Sequence, residues 1–141
     1  MKIALINGPN LNLLGTREPG IYGSETFDQY FEKLQARFPQ VELDYFQSNV
    51  EGELINRLHQ VGFDHGGILL NAGGYTHTSV AIRDAVAALT TGVVEVHISN
   101  IYSREEFRHI SLIAPKCRGS ICGLGLKGYD LGIRYFLDNA S

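Results

Sequence analysis

Five short apolar runs, at residues 2–6, 41–45, 68–70, 93–98 and 120–124, alternate with helical patterns along a chain of 141 residues. Strand and helix alternating in this way predict an α/β fold, a doubly wound five-stranded parallel sheet. Two details of patterning support it. Ile68-Leu69-Leu70 is continuously apolar, as a strand covered on both faces should be, whereas Val41, Leu43 and Tyr45 alternate with Glu42 and Asp44, as an edge strand open on one face should. The simplest winding is flavodoxin-like, with strand order 2-1-3-4-5.

Residues 2–6 run straight from Met1 as the first strand. The stretch 7–23 that follows is too rich in Gly, Pro and Asn for regular structure. Its length reads either as a functional lid, with glycines as hinges around an Arg and a Tyr, or as a solvated connector. Thr26 and Gln29 have capping-box spacing, and Phe27, Tyr30, Phe31, Leu34 and Phe38 recur at helical intervals up to Pro39. After the second strand, Ser48 with Glu51 repeats the capping pattern. It opens a helix whose buried stripe is Leu54, Ile55, Leu58 and Val61 and which Gly62 closes. His59 and His65 read as surface residues.

Residues 66–84 pass from an apolar run through a polar glycine turn into a helix, so Asn71, Thr76 and His77 fall beyond the carboxyl end of a central strand, where open α/β sheets bind ligands. The helix after Thr78 is apolar almost all round. One face can cover the sheet and the other can meet a second subunit, with Arg83 and Asp84 as the charged exceptions. Arg104 and Arg108 are spaced to share one face of any short helix. Residues 126–137 form the closing helix.

Length and composition, 44% hydrophobic and 19% charged, fit one globular domain over residues 1–141. A net charge of −3 with no block of Lys or Arg argues against nucleic acid as a partner. No apolar stretch spans a bilayer and no leader pattern precedes the first strand, so no membrane partner and a cytoplasmic protein are expected. Cys117 and Cys122 lack disulfide-framework or zinc-finger spacing and read as free thiols, and Asn139-Ala140-Ser141 is a chance sequon.

Gly123-Leu124-Gly125-Leu126-Lys127-Gly128 fits G-x-G-x-x-G, yet the chain ends before the second strand and acidic residue a dinucleotide site needs. Close helix packing accounts for its glycines. No Walker-type loop is present, and asparagines stand where a phospho-receiver needs acids. Glu95 and His97 lie two apart and face one side of a strand, so a buried carboxylate can orient an imidazole at the strand's carboxyl end, alongside His77, Asn71 and Asn10. The polar residues there are mostly amides and hydroxyls, poor zinc ligands, so no metal is expected. Arg17, Arg104 and Arg108 are cations for a carboxylate or oxyanion. Tyr22, whose ordinary pKa is about 10, becomes a base if a guanidinium stabilises its phenolate; a tyrosine that only packs is the alternative.

Residues 7–19, 71–79, 95–100 and 104–108 closely resemble the type II 3-dehydroquinate dehydratases, and the likeness extends over essentially the whole chain. The resemblance implies a flavodoxin-like fold, a dodecamer built from trimers and anti elimination of water from 3-dehydroquinate to 3-dehydroshikimate, without a cofactor. The pathway implied is shikimate biosynthesis or quinate breakdown. By motif, it implies that Tyr22 takes the C2 proton, Arg17 supports its ionised form, and Asn10 holds a water that stabilises the enolate. His97 would protonate the departing hydroxyl. Asn71, His77, the Ile98 and Ser99 amides and Arg108 would hold hydroxyls and carboxylate, and Asp84 would reach a neighbouring subunit's site. His109-Ile110 and Asn56 depart from the family pattern outside these positions. The rival reading is a flavin- or nucleotide-binding module using the same sheet edge.

Overall fold

A computed structural model describes residues 1–16 and 24–140. Arg17 and Tyr22 lie outside the described residues. The five strands are β1 (Lys2–Asn7), β2 (Glu42–Gln47), β3 (Gly67–Asn71), β4 (Val93–His97) and β5 (Gly119–Cys122). They pair in parallel in the order β2-β1-β3-β4-β5, the predicted topology with β2 at an edge. The four α-helices among the described residues are α1 (Phe27–Arg37), α2 (Glu51–Val61), α3 (Val80–Ala88) and α4 (Lys127–Asp138).

Alternation along β1 divides the core into two layers. Ile3 and Leu5 join Leu69, Leu34, Tyr129, Ile133 and Phe136 on the α1/α4 side. Ala4 and Ile6 join Ile68, Leu70, Leu54, Leu58, Ile82 and Val86 on the α2/α3 side. β1, β3 and β4 are therefore covered on both faces, and burying each large aliphatic side chain stabilises the fold by about 1.5–3 kcal/mol before conformational entropy is subtracted. Close approach leaves no room for a side chain at Gly132 and Gly8, among other glycines. A Cβ at Gly132 would lie 2.5 Å from a Leu69 methyl, and one at Gly8 would lie 2.5 Å from the Ala72 carbonyl oxygen.

The capping box at Thr26 forms as predicted: Gln29 N donates to Thr26 Oγ1 and Thr26 N donates to Gln29 Oε1. The second does not. Val50 is the N-cap of α2 and makes no side-chain cap; Ser48 instead accepts from Val50 N and donates to Glu53, while Glu51 accepts from Ser79 at 2.6 Å. β5 ends at Cys122 rather than 124 because Gly123 turns the chain with φ +85°. Gly123 and Gly125 serve left-handed backbone, and two of the three glycines also pack closely: a Cβ at Gly123 would lie 2.9 Å from Asn100 Cβ and one at Gly128 3.1 Å from Val96.

His65 is not a surface residue: its side chain is 9% exposed, with Nε2 2.7 Å from Asp44 and Nδ1 2.7 Å from Asp64. Asp44 lies far away in sequence on β2, so local patterning could not reveal it. His59 is exposed as expected. Cys117 and Cys122 are free and half-buried. Burial, with the Glu95 charge, pushes the Cys117 thiol up to about 12.

Candidate active site

A cavity opens at the carboxyl ends of β1, β3 and β4, the edge that the strand order makes a crevice. Asn10, Asn71, His77, His97, Ile98, Ser99 and Arg108 all line it, joined by Arg104. Asp84 does not; it is exposed on α3. Thr76 does not either, being fully buried with its hydroxyl unpartnered.

Asn71 ends β3 and is pinned on two sides. Its Oδ1 accepts from Gly73 N at 3.1 Å, and its Nδ2 donates to the Tyr129 hydroxyl at 3.0 Å, which itself donates to Asn7 Oδ1 at 2.8 Å. One N–H of the Asn71 amide remains to meet a ligand oxygen. Tyr129 is wholly buried, which holds its phenol far above the ordinary range and keeps it a neutral donor.

His77 closes the 3-10 turn Gly73–His77, and its Nδ1 lies 2.8 Å from the Ile110 carbonyl oxygen. A carbonyl only accepts, so Nδ1 carries the proton and Nε2 is the nitrogen left for a ligand. His97 sits at the end of β4 with its ring centroid 6.5 Å from that of His77. Its Nε2 lies 2.9 Å from Glu95 Oε2, an ion-pair distance without the alignment of a hydrogen bond. Nδ1 is then the nitrogen free for the cavity.

Glu95 also accepts from Ser111 at 2.6 Å and Ser120 at 2.7 Å. Burial pushes this carboxyl up, but the His97 imidazole and the two hydroxyls outweigh it, and the group is held below the usual carboxylate range. The Glu95 carboxylate behind the ring orients the imidazole at the cavity end of β4.

Beyond β4 the chain forms two 3-10 turns, Ile101–Ser103 and Glu106–Arg108, with Arg104 extended between them and Arg108 at the end of the second. The two arginines therefore do not share a helix face, although both reach the cavity. Arg108 Nε donates to Glu105 at 2.6 Å, and its guanidinium lies over the Phe107 ring at 5.2 Å. Arg104 donates to Ser99 Oγ at 3.4 Å. Neither the Ile98 nor the Ser99 amide is taken up by a hydrogen bond among the described residues, so two backbone donors stand beside two guanidinium groups. That combination suits a carboxylate.

Sequence reasoning missed the residues behind this front: Tyr129, Ser111, Ser120 and the Ile110 carbonyl. Each reaches its partner across 16 to 58 positions, and only the Glu95/His97 spacing left a local signal. Asn10 is the exception in backbone, with φ 72°.

The chain matches the family model described as dehydroquinase class II over residues 1–137. A 3-dehydroquinate dehydratase of Campylobacter jejuni is 55% identical over 135 residues, covering 94% of this chain and 85% of the relative. One of Bacillus licheniformis is 52% identical over 138 residues, covering 96% and 95%. The crystal structure of a type II dehydroquinase from Butyrivibrio crossotus superposes with a TM-score of 0.92 at 46% identity, covering 97% of each chain. With both the sequence and the sheet-edge crevice in agreement, this chain belongs to the class II dehydroquinase family.

Proposed function

We infer that the chain, as one catalytic domain, removes water from 3-dehydroquinate to give 3-dehydroshikimate, a step of the shikimate pathway. The observation that carries this reading is the Glu95-backed imidazole of His97 facing a cavity with two guanidinium groups and free backbone amides. A hydroxylated ring acid needs these features: an anchor for its carboxylate, hydrogen-bonding partners for its hydroxyls and an acid for its leaving group. Nothing in the cavity favours a flavin or nucleotide.

In this reading Arg108 and the Ile98 and Ser99 amides hold the carboxylate, while Asn71 and His77 hold hydroxyls. Tyr22, its phenolate supported by Arg17, takes the C2 proton, and the electron pair moves onto the ketone oxygen as an enolate. Asn10 holds a water that donates to that oxygen. The enolate then collapses, the carbon–oxygen bond breaks, and His97 protonates the hydroxyl as it leaves as water. The net change is loss of one water with no redox step, and in this reading the residues named above supply both the base and the acid.

Exposed Val80, Ala81, Ala87 and Ala88 on α3, beside Asp84, support assembly into a homo-oligomer, a dodecamer of trimers in which Asp84 completes a neighbour's site. The described helices include none long and apolar enough to cross a membrane, which is consistent with the cytoplasmic placement we propose. Mixing the purified chain with 3-dehydroquinate should produce the ultraviolet absorbance of a conjugated enone. No rise at micromolar enzyme would reject the reading.

A further inference from the structure

Asn10 is the only non-glycine among the described residues with positive φ, at φ 72° and ψ −4°. Asparagine tolerates the left-handed region better than most residues, but the conformation still needs neighbours that fix it. Those neighbours come from the loop after β2. Asn10 N donates to Asn49 Oδ1 at 3.0 Å, although the two residues are far apart in sequence. Gln47 Nε2 donates to the same Asn49 oxygen at 3.2 Å and to the Gly8 carbonyl at 3.1 Å. The Asn49 carbonyl in turn accepts from the Tyr75 hydroxyl at 3.1 Å. One side-chain oxygen thus receives two donors, and its own backbone is tied to the turn that carries His77.

The turn it holds has little other freedom. Gly8 N donates to Asn71 O at 2.7 Å, so the chain leaves β1 pressed against β3. Asn10 is the first residue beyond that pairing that both lines the cavity and could rotate away from it. With its N–H unpaired, it would be free to return to ordinary backbone and carry its amide out of the cavity.

We propose that Asn49 is a positioning residue for the reaction: its Oδ1 keeps Asn10 left-handed and so keeps the Asn10 amide aimed at the developing enolate. The proposal rests on the role given to Asn10 above. It makes no use of Asn49 touching substrate, and Asn49 is absent from the cavity wall.

The test compares the parent with Asn49→Asp, which retains an acceptor oxygen, and Asn49→Ala, which removes it, in the full chain. Asn49→Ala should lower kcat about tenfold with KM within about twofold, roughly the effect of losing one hydrogen bond felt only in the transition state. Asn49→Asp should stay within about twofold of the parent in both. Hydrogen exchange of the Asn10 amide should quicken in Asn49→Ala and not in Asn49→Asp. If Asn49→Ala does not fold, Asn49→Ser, whose hydroxyl is too short to span the contact, takes its place with the same expectation.

Parent-like kcat in Asn49→Ala, or an equal loss in Asn49→Asp, would overturn the proposal, as would unchanged exchange at Asn10. Faster exchange with unaltered kcat would overturn it by showing that Asn10 placement does not limit turnover. A parent that fails to turn over 3-dehydroquinate marks the failure of the proposed function instead, and exchange at Asn10 still decides the geometric half.

Discussion

Tyr129→Phe removes one oxygen from the centre of the molecule and leaves everything else of the side chain in place. The ring keeps its edge contact with Phe27 at 4.8 Å, so no large cavity forms. What is lost is the hydroxyl between Asn71 Nδ2 and Asn7 Oδ1, at 3.0 and 2.8 Å, in a position with no solvent exposure. Each buried polar atom left without its partner costs about 1–3 kcal/mol, offset in part by no longer burying the hydroxyl, so a net loss of about 2–3 kcal/mol is expected. For a chain of this size that corresponds to a fall in melting temperature of about 5–10 °C. Thermal unfolding by circular dichroism at one fixed protein concentration measures it. Tyr45→Phe is the control, because its hydroxyl meets Asn7 only at 3.5 Å and should move the midpoint by less than about 2 °C. The released Asn71 amide should also raise KM for 3-dehydroquinate a few-fold. A Tyr129→Phe midpoint no lower than that of the control would refute the claim that this hydroxyl joins the core to the site.

Three further outcomes follow from the geometry. Gly8→Ala places a methyl 2.5 Å from a backbone oxygen that cannot move without parting β1 from the β3 turn; a loss of about 1–3 kcal/mol in denaturant unfolding is expected, and a neutral result would contradict it. Asp130 is buried, which pushes its carboxyl up, but Arg134, Arg37 and Lys127 outweigh this and hold it below the usual range. Its stabilisation is therefore present above the unfolded value, about 3.9, and lost as pH falls through the lower folded value. Asp130→Asn should melt lower than the parent at pH 7, and the gap should close on acidification below about pH 4; a gap that widens there would reverse the sign. Among the described residues lining the cavity none is lysine, so activity should survive borohydride added in the presence of substrate, and inactivation with a mass increase on a lysine would reveal an imine.

The sheet was legible because its signals are local. A short continuous apolar run such as residues 68–70, set between glycines and a polar turn, reads as a strand covered twice, and the order β2-β1-β3-β4-β5 is the simplest winding for five such units. The capping box at Thr26 survived because both its groups lie within one turn of helix. That at Ser48 failed because Glu51 found Ser79 on another element, a partner that spacing cannot display. His65 was misread for the same reason. At the site, the sequence named Asn10, Asn71, His77, His97, Arg104 and Arg108, which line the cavity, but also Thr76 and Asp84, which do not, and the motif resemblance supplied the proposed roles. The supports behind them, Tyr129 for Asn71 and Ser111 and Ser120 for Glu95, depend on contacts that exist only after the strands have paired.

The division of labour between Tyr22 as base and His97 as acid is the centre of this account, and Tyr22→Phe tests it most directly. The substitution keeps the aromatic ring and removes only the hydroxyl proposed to accept the C2 proton. Steady-state kinetics with 3-dehydroquinate should show kcat lowered by at least about 100-fold, the low end of what a positioned base contributes, with KM changed by less than about fivefold. Turnover within about twofold of the parent would contradict the assignment and leave His77 or His97 as the base.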